Sequence, residues 1–145
     1  MMRVAIVAAR FNAEVTDSMV EAAEEAIDDH GHEHAATVRV PGAFDTPVVA
    51  QRLMSRADVD GVAVLGAVVT GDTDHDQVLM HATTRTLQQL SLEWGKPIAL
   101  GITGPGMSGE EARERVDYGA QAVEAVTEVH EALRQVTPEM DMDTV

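Results

Sequence analysis

The residues 66–76, Gly-Ala-Val-Val-Thr-Gly-Asp-Thr-Asp-His-Asp, carry the side chains most able to do chemistry. They follow the apolar run Val62-Ala63-Val64-Leu65 and lead into a helical apolar spacing near Gln77. A buried strand that stops at a glycine-bracketed turn and then opens a helix leaves free backbone N–H groups pointing out of the turn. Such a helix start suits an anion, phosphate above all. Gly71, Asp72 and Thr73 offer N–H groups and a hydroxyl there, although the Asp72 charge repels phosphate unless its side chain turns away. His75 stands beside them, and histidine titrates close enough to neutrality to pass a proton. An anion cradle next to a proton shuttle suggests a small-molecule enzyme.

Other residues are weighed against plainer roles. Phe11 and Phe44 are the only phenylalanines. Each is either a ring stacked on a heteroaromatic substrate or a buried anchor for its loop. Asp45 serves equally as a helix cap or as a partner for a polyol hydroxyl, and from residue type alone the cap is favoured. Asp72, Asp74 and Asp76 hint at calcium, but the midway glycine and closing glutamate of an EF-hand are missing. His30, His32 and His34 have a spacing that could hold a metal, and a solvated polar turn is the favoured reading. Arg113 and Arg115 read as surface ion pairs or, if one reaches the cradle, as a phosphate clamp.

The elements that position these residues follow from apolar periodicity. Continuous apolar runs predict strands over residues 3–8, 36–40, 62–69 and 97–103, the last ended by Gly104-Pro105-Gly106. Met19, Ala22, Ala23, Ala26 and Ile27 recur at helical spacing to about Asp29, with Thr16 as cap. A second helix starts at Asp45 or Thr46, with Pro47 in its first turn, and runs to about Arg56. A third covers residues 77–93. Ser108 and Glu111 have capping-box spacing and open a long helix. Its apolar stripe is Val116, Gly119/Ala120, Val123, Val126 and His130/Leu133. Residues 138–145 read as a frayed acidic tail.

Strand and helix alternate four times, and fully apolar strands belong to parallel sheets covered on both faces. The expected fold is α/β, a three-layer α/β/α sandwich on a four-stranded parallel sheet, flavodoxin-like, in one domain over residues 1–145. Ligands of such sheets bind at the carboxyl edge of the strands. Residues 10–12, 41–45, 70–76 and 104–108 converge there, and they carry nearly all the candidates above.

Composition narrows the class further. With 25 acidic against 10 basic residues the net charge is −15, which argues against nucleic acid. Lys96 is the only lysine, and an acidic surplus with scarce lysine looks like adaptation to a salty cytoplasm. The absence of cysteine excludes disulfides and thiolate chemistry. No apolar run is long enough for a helical membrane span, and no signal peptide is visible, so a cytoplasmic location is expected.

With these residues placed, the chain resembles the lumazine synthase family of riboflavin biosynthesis, from Arg3 to about Leu133. The resemblance rests on Ala9-Arg10-Phe11-Asn12, Val40-Pro41-Gly42-Ala43-Phe44-Asp45, residues 66–76, and residues 92–101. Gly104-Pro105-Gly106-Met107 and residues 114–119 are similar to the archaeal branch, and the composition to its halophiles. The family condenses 5-amino-6-(D-ribitylamino)uracil with 3,4-dihydroxy-2-butanone 4-phosphate, giving 6,7-dimethyl-8-ribityllumazine, phosphate and water. The resemblance implies no metal and no cofactor. It implies that Phe11 stacks on the uracil, and that Ala43, Phe44 and Asp45 hold the ribityl chain. Ala67, Val68 and Val69 would meet the pyrimidine edge, and Asp72 and Thr73 the butanone phosphate. His75 would transfer protons. Leu100 and Arg115 match positions donated by a neighbouring subunit, Arg115 to the phosphate.

The family assembles as pentamers, decamers or icosahedral 60-mers with active sites between subunits, so a homo-oligomer is expected. The chain departs from bacterial members in having Leu100 for an aromatic residue and Asp117-Tyr118-Gly119 where they carry a lysine. A shorter preceding loop implies that the last two family helices fuse into one. Two alternatives remain at this stage: the related archaeal riboflavin synthase, which dismutates two lumazines, and a flavin- or lumazine-binding assembly protein without catalysis.

Overall fold

A computed structural model describes residues 1–69, 75–107 and 117–138. Four strands, β1 (Arg3–Ala9), β2 (Glu33–Val40), β3 (Gly61–Val69) and β4 (Ile98–Met107), form one sheet in the order β2-β1-β3-β4. Every neighbouring pair runs parallel. The helices are α1 (Ala13–Asp29), α2 (Thr46–Met54), α3 (His75–Trp94) and α4 (Tyr118–Val136), with a short 3-10 turn at Ala43–Asp45.

The two faces of β1 and β3 explain the three layers. Val4, Ile6 and Ala8 of β1 join Ala63 and Leu65 of β3 in a core with Met19, Ile27, Val123 and Val126 of α1 and α4. The alternate residues Ala5, Val7, Val62 and Val64 join Leu53, Met54, Leu87 and Leu90 of α2 and α3. Both faces being covered, the central strands have no polar side, which is why they read as continuous apolar runs. The α/β/α sandwich is therefore as expected.

Element ends differ from the sequence reading for physical reasons. β2 starts at Glu33 rather than residue 36, because it is an edge strand whose exposed start tolerates polar residues while Arg3 still pairs with Glu33. β1 runs on to Ala9, which pairs with Val40. β4 does not end at Gly104-Pro105-Gly106 but continues to Met107. It too is an edge strand, where a proline removes no needed donor, and the ladder takes up the change in a register shift between Ala67 and Val69.

Helix α1 begins at Ala13, so Thr16 is not its cap; the Thr16 hydroxyl donates to the Asn12 carbonyl one turn back. α1 closes on Gly31 at φ 72, with Gly31 N–H donating to Asp28 O and His32 N–H to Ile27 O, a Schellman ending. α2 stops at Met54 rather than Arg56, and α3 spans His75–Trp94, slightly longer than residues 77–93. The last described helix runs Tyr118–Val136 with Asp117 at its N-cap. Ser108, Glu111 and Val116 lie outside the described residues. Among the described residues, no helix is long and apolar enough to cross a membrane.

Candidate active site at the sheet switch point

Chain order reverses direction between β1 and β3. From β1 the chain goes outward to β2, and from β2 it crosses back over β1 to β3. The helices that follow β1 and β3 pack on opposite faces, so the carboxyl ends of these two strands are where this kind of sheet usually leaves a crevice for a ligand.

Three contacts shape that crevice. The turn after β1 carries Asn12 at φ 60, ψ 52, the left-handed region, where asparagine is better tolerated than most side chains. Asn12 Nδ2 donates to Ala67 O at 3.0 Å, tying the turn to the end of β3. On the other side, Arg10 N–H donates to Val40 O at 2.7 Å and Phe11 N–H to Pro41 O at 3.1 Å. Phe11 is thus held by its backbone while its ring stays 61% exposed.

The second wall is the turn after β2. Ala43 packs with Val68 and Met80, joining this turn to β3 and α3. The Asp45 carboxylate accepts the Gly42 N–H at 3.0 Å, and the buried Thr46 hydroxyl donates to Ala43 O at 2.8 Å. The cap reading of Asp45 holds for that oxygen, although it caps the 3-10 turn rather than α2. Phe44 next to it is 72% exposed. It borders a groove of about 360 Å3 with Val48, Ala82 and Thr86, between α2 and α3. Neither phenylalanine is the buried loop anchor that the plainer reading supposed; both rings are free to be covered.

His75 is the first residue of α3 and is exposed, with the buried Asp76 next to it. Met80, one turn further on, packs on Ala43 and Val68, so the start of α3 belongs to the same edge. Ala67 and Val68 are buried at the end of β3. Val69 is the last residue of that strand. The structure therefore brings Phe11, Ala43, Phe44, Asp45, Ala67, Val68, Val69 and His75 to one edge of the sheet. Asp72, Thr73, Arg113 and Arg115 lie outside the described residues, as does the Asp72–Asp74 part of the calcium pattern.

Leu100 is not brought to this edge. It lies opposite Val64 on β4, three residues before Thr103, which pairs with Ala67. At about 3.3 Å per residue that is about 10 Å short of the edge. Its side chain is 40% exposed and lines a separate groove with Thr84, Leu87 and Gln88.

The histidine cluster is not a metal site, and no group of ligands that could hold an ion exists among the described residues. His32 Nδ1 accepts the Met2 N–H at 3.1 Å, and its Nε2 lies 3.0 Å from Thr127 Oγ1. The Thr127 hydroxyl gives its proton to Val123 O, so His32 Nε2 is the donor and the ring is neutral with the proton on Nε2. Burial, first, and then the neighbouring His30, N-terminus and His130 push the His32 pKa below its ordinary value. His34 instead meets Thr37 and Glu24. The solvated-turn reading fails for His32, which ties Met2, just before β1, to α4.

Two residues of this edge were missed as site elements in the sequence. Asn12 looked like ordinary loop, and only the pair of β1 and β3 as neighbours reveals what its amide reaches. Arg39 sits in Thr37-Val38-Arg39-Val40, where alternation of polar and apolar residues was the available signal that one face points to α1.

A sequence model of the family described as 6,7-dimethyl-8-ribityllumazine synthase matches residues 1–134. A protein of that name from Halorubrum lacusprofundi is 52% identical over 133 residues, covering 92% of this chain and 99% of the relative. One from Halobacterium salinarum is 52% identical, covering 92% and 100%. One from Methanopyrus kandleri is 44% identical over 138 residues, covering 95% and 98%. Among solved structures, a dinucleotide-forming acetyl-coenzyme A synthetase 1 from Ca. Korarchaeum cryptofilum, in complex with phosphate and ADP, superposes with a TM-score of 0.50. The superposition covers 94% of this chain and 36% of that one at 14% identity, a likeness of fold alone.

Proposed function

The chain belongs to the 6,7-dimethyl-8-ribityllumazine synthase family, transferases of riboflavin biosynthesis, and we propose that its active site is the carboxyl-edge crevice between β1 and β3. There 5-amino-6-(D-ribitylamino)uracil condenses with 3,4-dihydroxy-2-butanone 4-phosphate. The observation that carries this assignment is the pair of exposed aromatic rings, Phe11 and Phe44, on two loops tied to the end of β3.

Phe11 stacks on the uracil ring. Ala43, Phe44 and the second oxygen of Asp45 receive the ribityl chain, and the backbone of Ala67, Val68 and Val69 meets the pyrimidine edge. Asp72 and Thr73, just before α3 in sequence, bind the butanone phosphate through their N–H groups, with Arg115 from a neighbouring subunit. Amine and ketone must be held together to form an imine, so positioning is the main contribution. Phosphate then leaves under the fixed positive potential of those N–H groups and Arg115. His75 moves protons during elimination and ring closure. This chemistry needs neither metal nor organic cofactor.

The position of Leu100, away from the edge of its own chain, suits a residue given to a neighbour's site. We place the protein in the cytoplasm as a homo-oligomer built on pentamers, with residues 1–145 as one synthase domain. The test mixes the purified protein with both substrates and follows lumazine absorbance beside His75→Ala. Product from wild type, formed more slowly by the variant, is expected. Riboflavin formed from lumazine alone would move the chain to the riboflavin synthase reading, and no turnover with tight flavin binding to the assembly-protein reading.

A further inference from the structure

The ring of Phe11 is mostly exposed, so its own packing does not fix where it points. Its direction is set by the backbone of residues 10–12. Backbone bonds to Val40 and Pro41 hold one side of that connection and Asn12 holds the other. A third hold comes from Arg39, which lies opposite Ala8 on β2. Its Nη2 donates to Thr16 Oγ1 at 3.1 Å and to Ala9 O at 3.4 Å. Its Nη1 lies 2.7 Å from Asp17 Oδ1. One guanidinium thus grips the last residue of β1 and the first turn of α1, the two anchor points between which Phe11 is displayed.

We propose that Arg39 is a positioning residue for the aminouracil: it holds the β1–α1 connection in the shape that presents Phe11 to the ring. This rests on the assignment of Phe11 above. Two observations favour it over a purely structural role. Arg39 Nε is buried without a partner, a cost that an apolar residue at this position would not carry. What the apolar residue could not supply is a planar fork reaching acceptors on two elements at once. The connection also turns through the single left-handed residue Asn12, so the direction of Phe11 depends on one backbone shape held between the two anchors. Released at one anchor, the connection relaxes away from this shape. The apparent affinity for a ligand of the held shape then falls by the fraction lost.

Steady-state kinetics on the assembled protein, at the salt that keeps wild type folded, test this with Arg39→Met, Arg39→Lys and Asp17→Asn. Arg39→Met should raise the KM for the aminouracil about 3–10-fold, with kcat and the KM for butanone phosphate within about twofold. Arg39→Lys should recover part of the loss, keeping the charge near Asp17 but not the fork. A lower Tm with unchanged aminouracil KM, or a fall in kcat alone, overturns the proposal. Should Arg39→Met not fold, the surface variant Asp17→Asn and Arg39→Lys decide: unchanged KM in both overturns it. Hydrogen exchange at the Arg10 and Phe11 amides reads the same hold without turnover. Faster exchange in Arg39→Lys and Asp17→Asn is expected, and unchanged exchange overturns the proposal. If wild type makes no lumazine, the proposed function fails, and the exchange result still judges the hold itself.

Discussion

Replacing Gly119 by alanine adds one methyl group where α4 crosses α1. A Cβ at that position would lie 2.0 Å from Met19 O, 2.8 Å from Met19 C and 3.1 Å from Met19 Cα. All three are backbone atoms of α1, so no side chain can rotate out of the way. To bring the carbonyl to ordinary contact at 3.4 Å, the helices must part by about 1.4 Å. Met19, Val123 and Val126 are fully buried between them and would lose contacts. The start of α4 has little room on its other side, since a Cβ on Gly101 would already meet Tyr118 O at 2.7 Å.

Overpacking against backbone belongs at the upper end of the usual range, about 3 kcal/mol. Alanine is the better helix former by about 1 kcal/mol, which offsets part of that. The net loss is about 2 kcal/mol, and for a chain of this size the Tm should fall by about 6 °C. Thermal unfolding followed by circular dichroism, at equal salt and protein concentration, measures it. Ala120→Gly on the same turn serves as the control for helix propensity alone, and should cost only about 1 kcal/mol. A Gly119→Ala protein as stable as wild type would refute the close crossing of α1 and α4.

Phe11→Ala should separate binding from stability: its exposed ring leaves unfolding within about 0.5 kcal/mol of wild type, while the aminouracil KM rises about tenfold through lost stacking. A large fall in Tm with unchanged KM would restore the loop-anchor role. His32 should make stability pH-dependent. Its folded pKa lies below its ordinary value of 6.5, so near and above neutrality the ring is uncharged in both states and stability is at its full level. As pH falls below 6.5 the unfolded chain takes up a proton that the folded ring resists, and stability declines down to the folded pKa. His30, the N-terminus and His130 face the same ring; His32→Asn should flatten this slope in urea titrations at pH 5–7, and an unchanged slope would refute the assignment. Mixing His75→Ala with Arg115→Ala subunits should restore about a quarter of wild-type sites if each site joins two neighbouring chains at random. No recovery in mixed oligomers would place both residues in one chain's site.

Much of the fold was legible because parallel strands covered on both faces cannot hide polar residues, and Val4 to Ala9 and Val62 to Leu65 show none. Legibility failed at the sheet edges, where that constraint lapses. Glu33 and His34 could enter β2 because its outer side is open, and Gly104-Pro105-Gly106 could stay in β4 because an edge strand need not donate outward. The start of α1 was misplaced for a different reason. Thr16 has the type of a cap, but the turn is made by Asn12 through a backbone shape and a bond to Ala67, 55 residues away. Local spacing has no access to such a partner.

The same distinction separates the candidate residues. Phe11, Phe44 and His75 could be found by type and loop position, because carboxyl-edge loops are predictable once strand order is guessed. Whether the rings were buried anchors or exposed faces depended on packing that no spacing encodes. Leu100 is the instructive case: its type fits an apolar wall of the site, yet its register with Val64 leaves it three residues short of the carboxyl edge. Under the proposed function such a residue serves a neighbour's site rather than its own. In the proposed oligomer a second copy covers the exposed Phe11 and Phe44 and takes up Leu100, and an active monomer in light scattering would refute that arrangement.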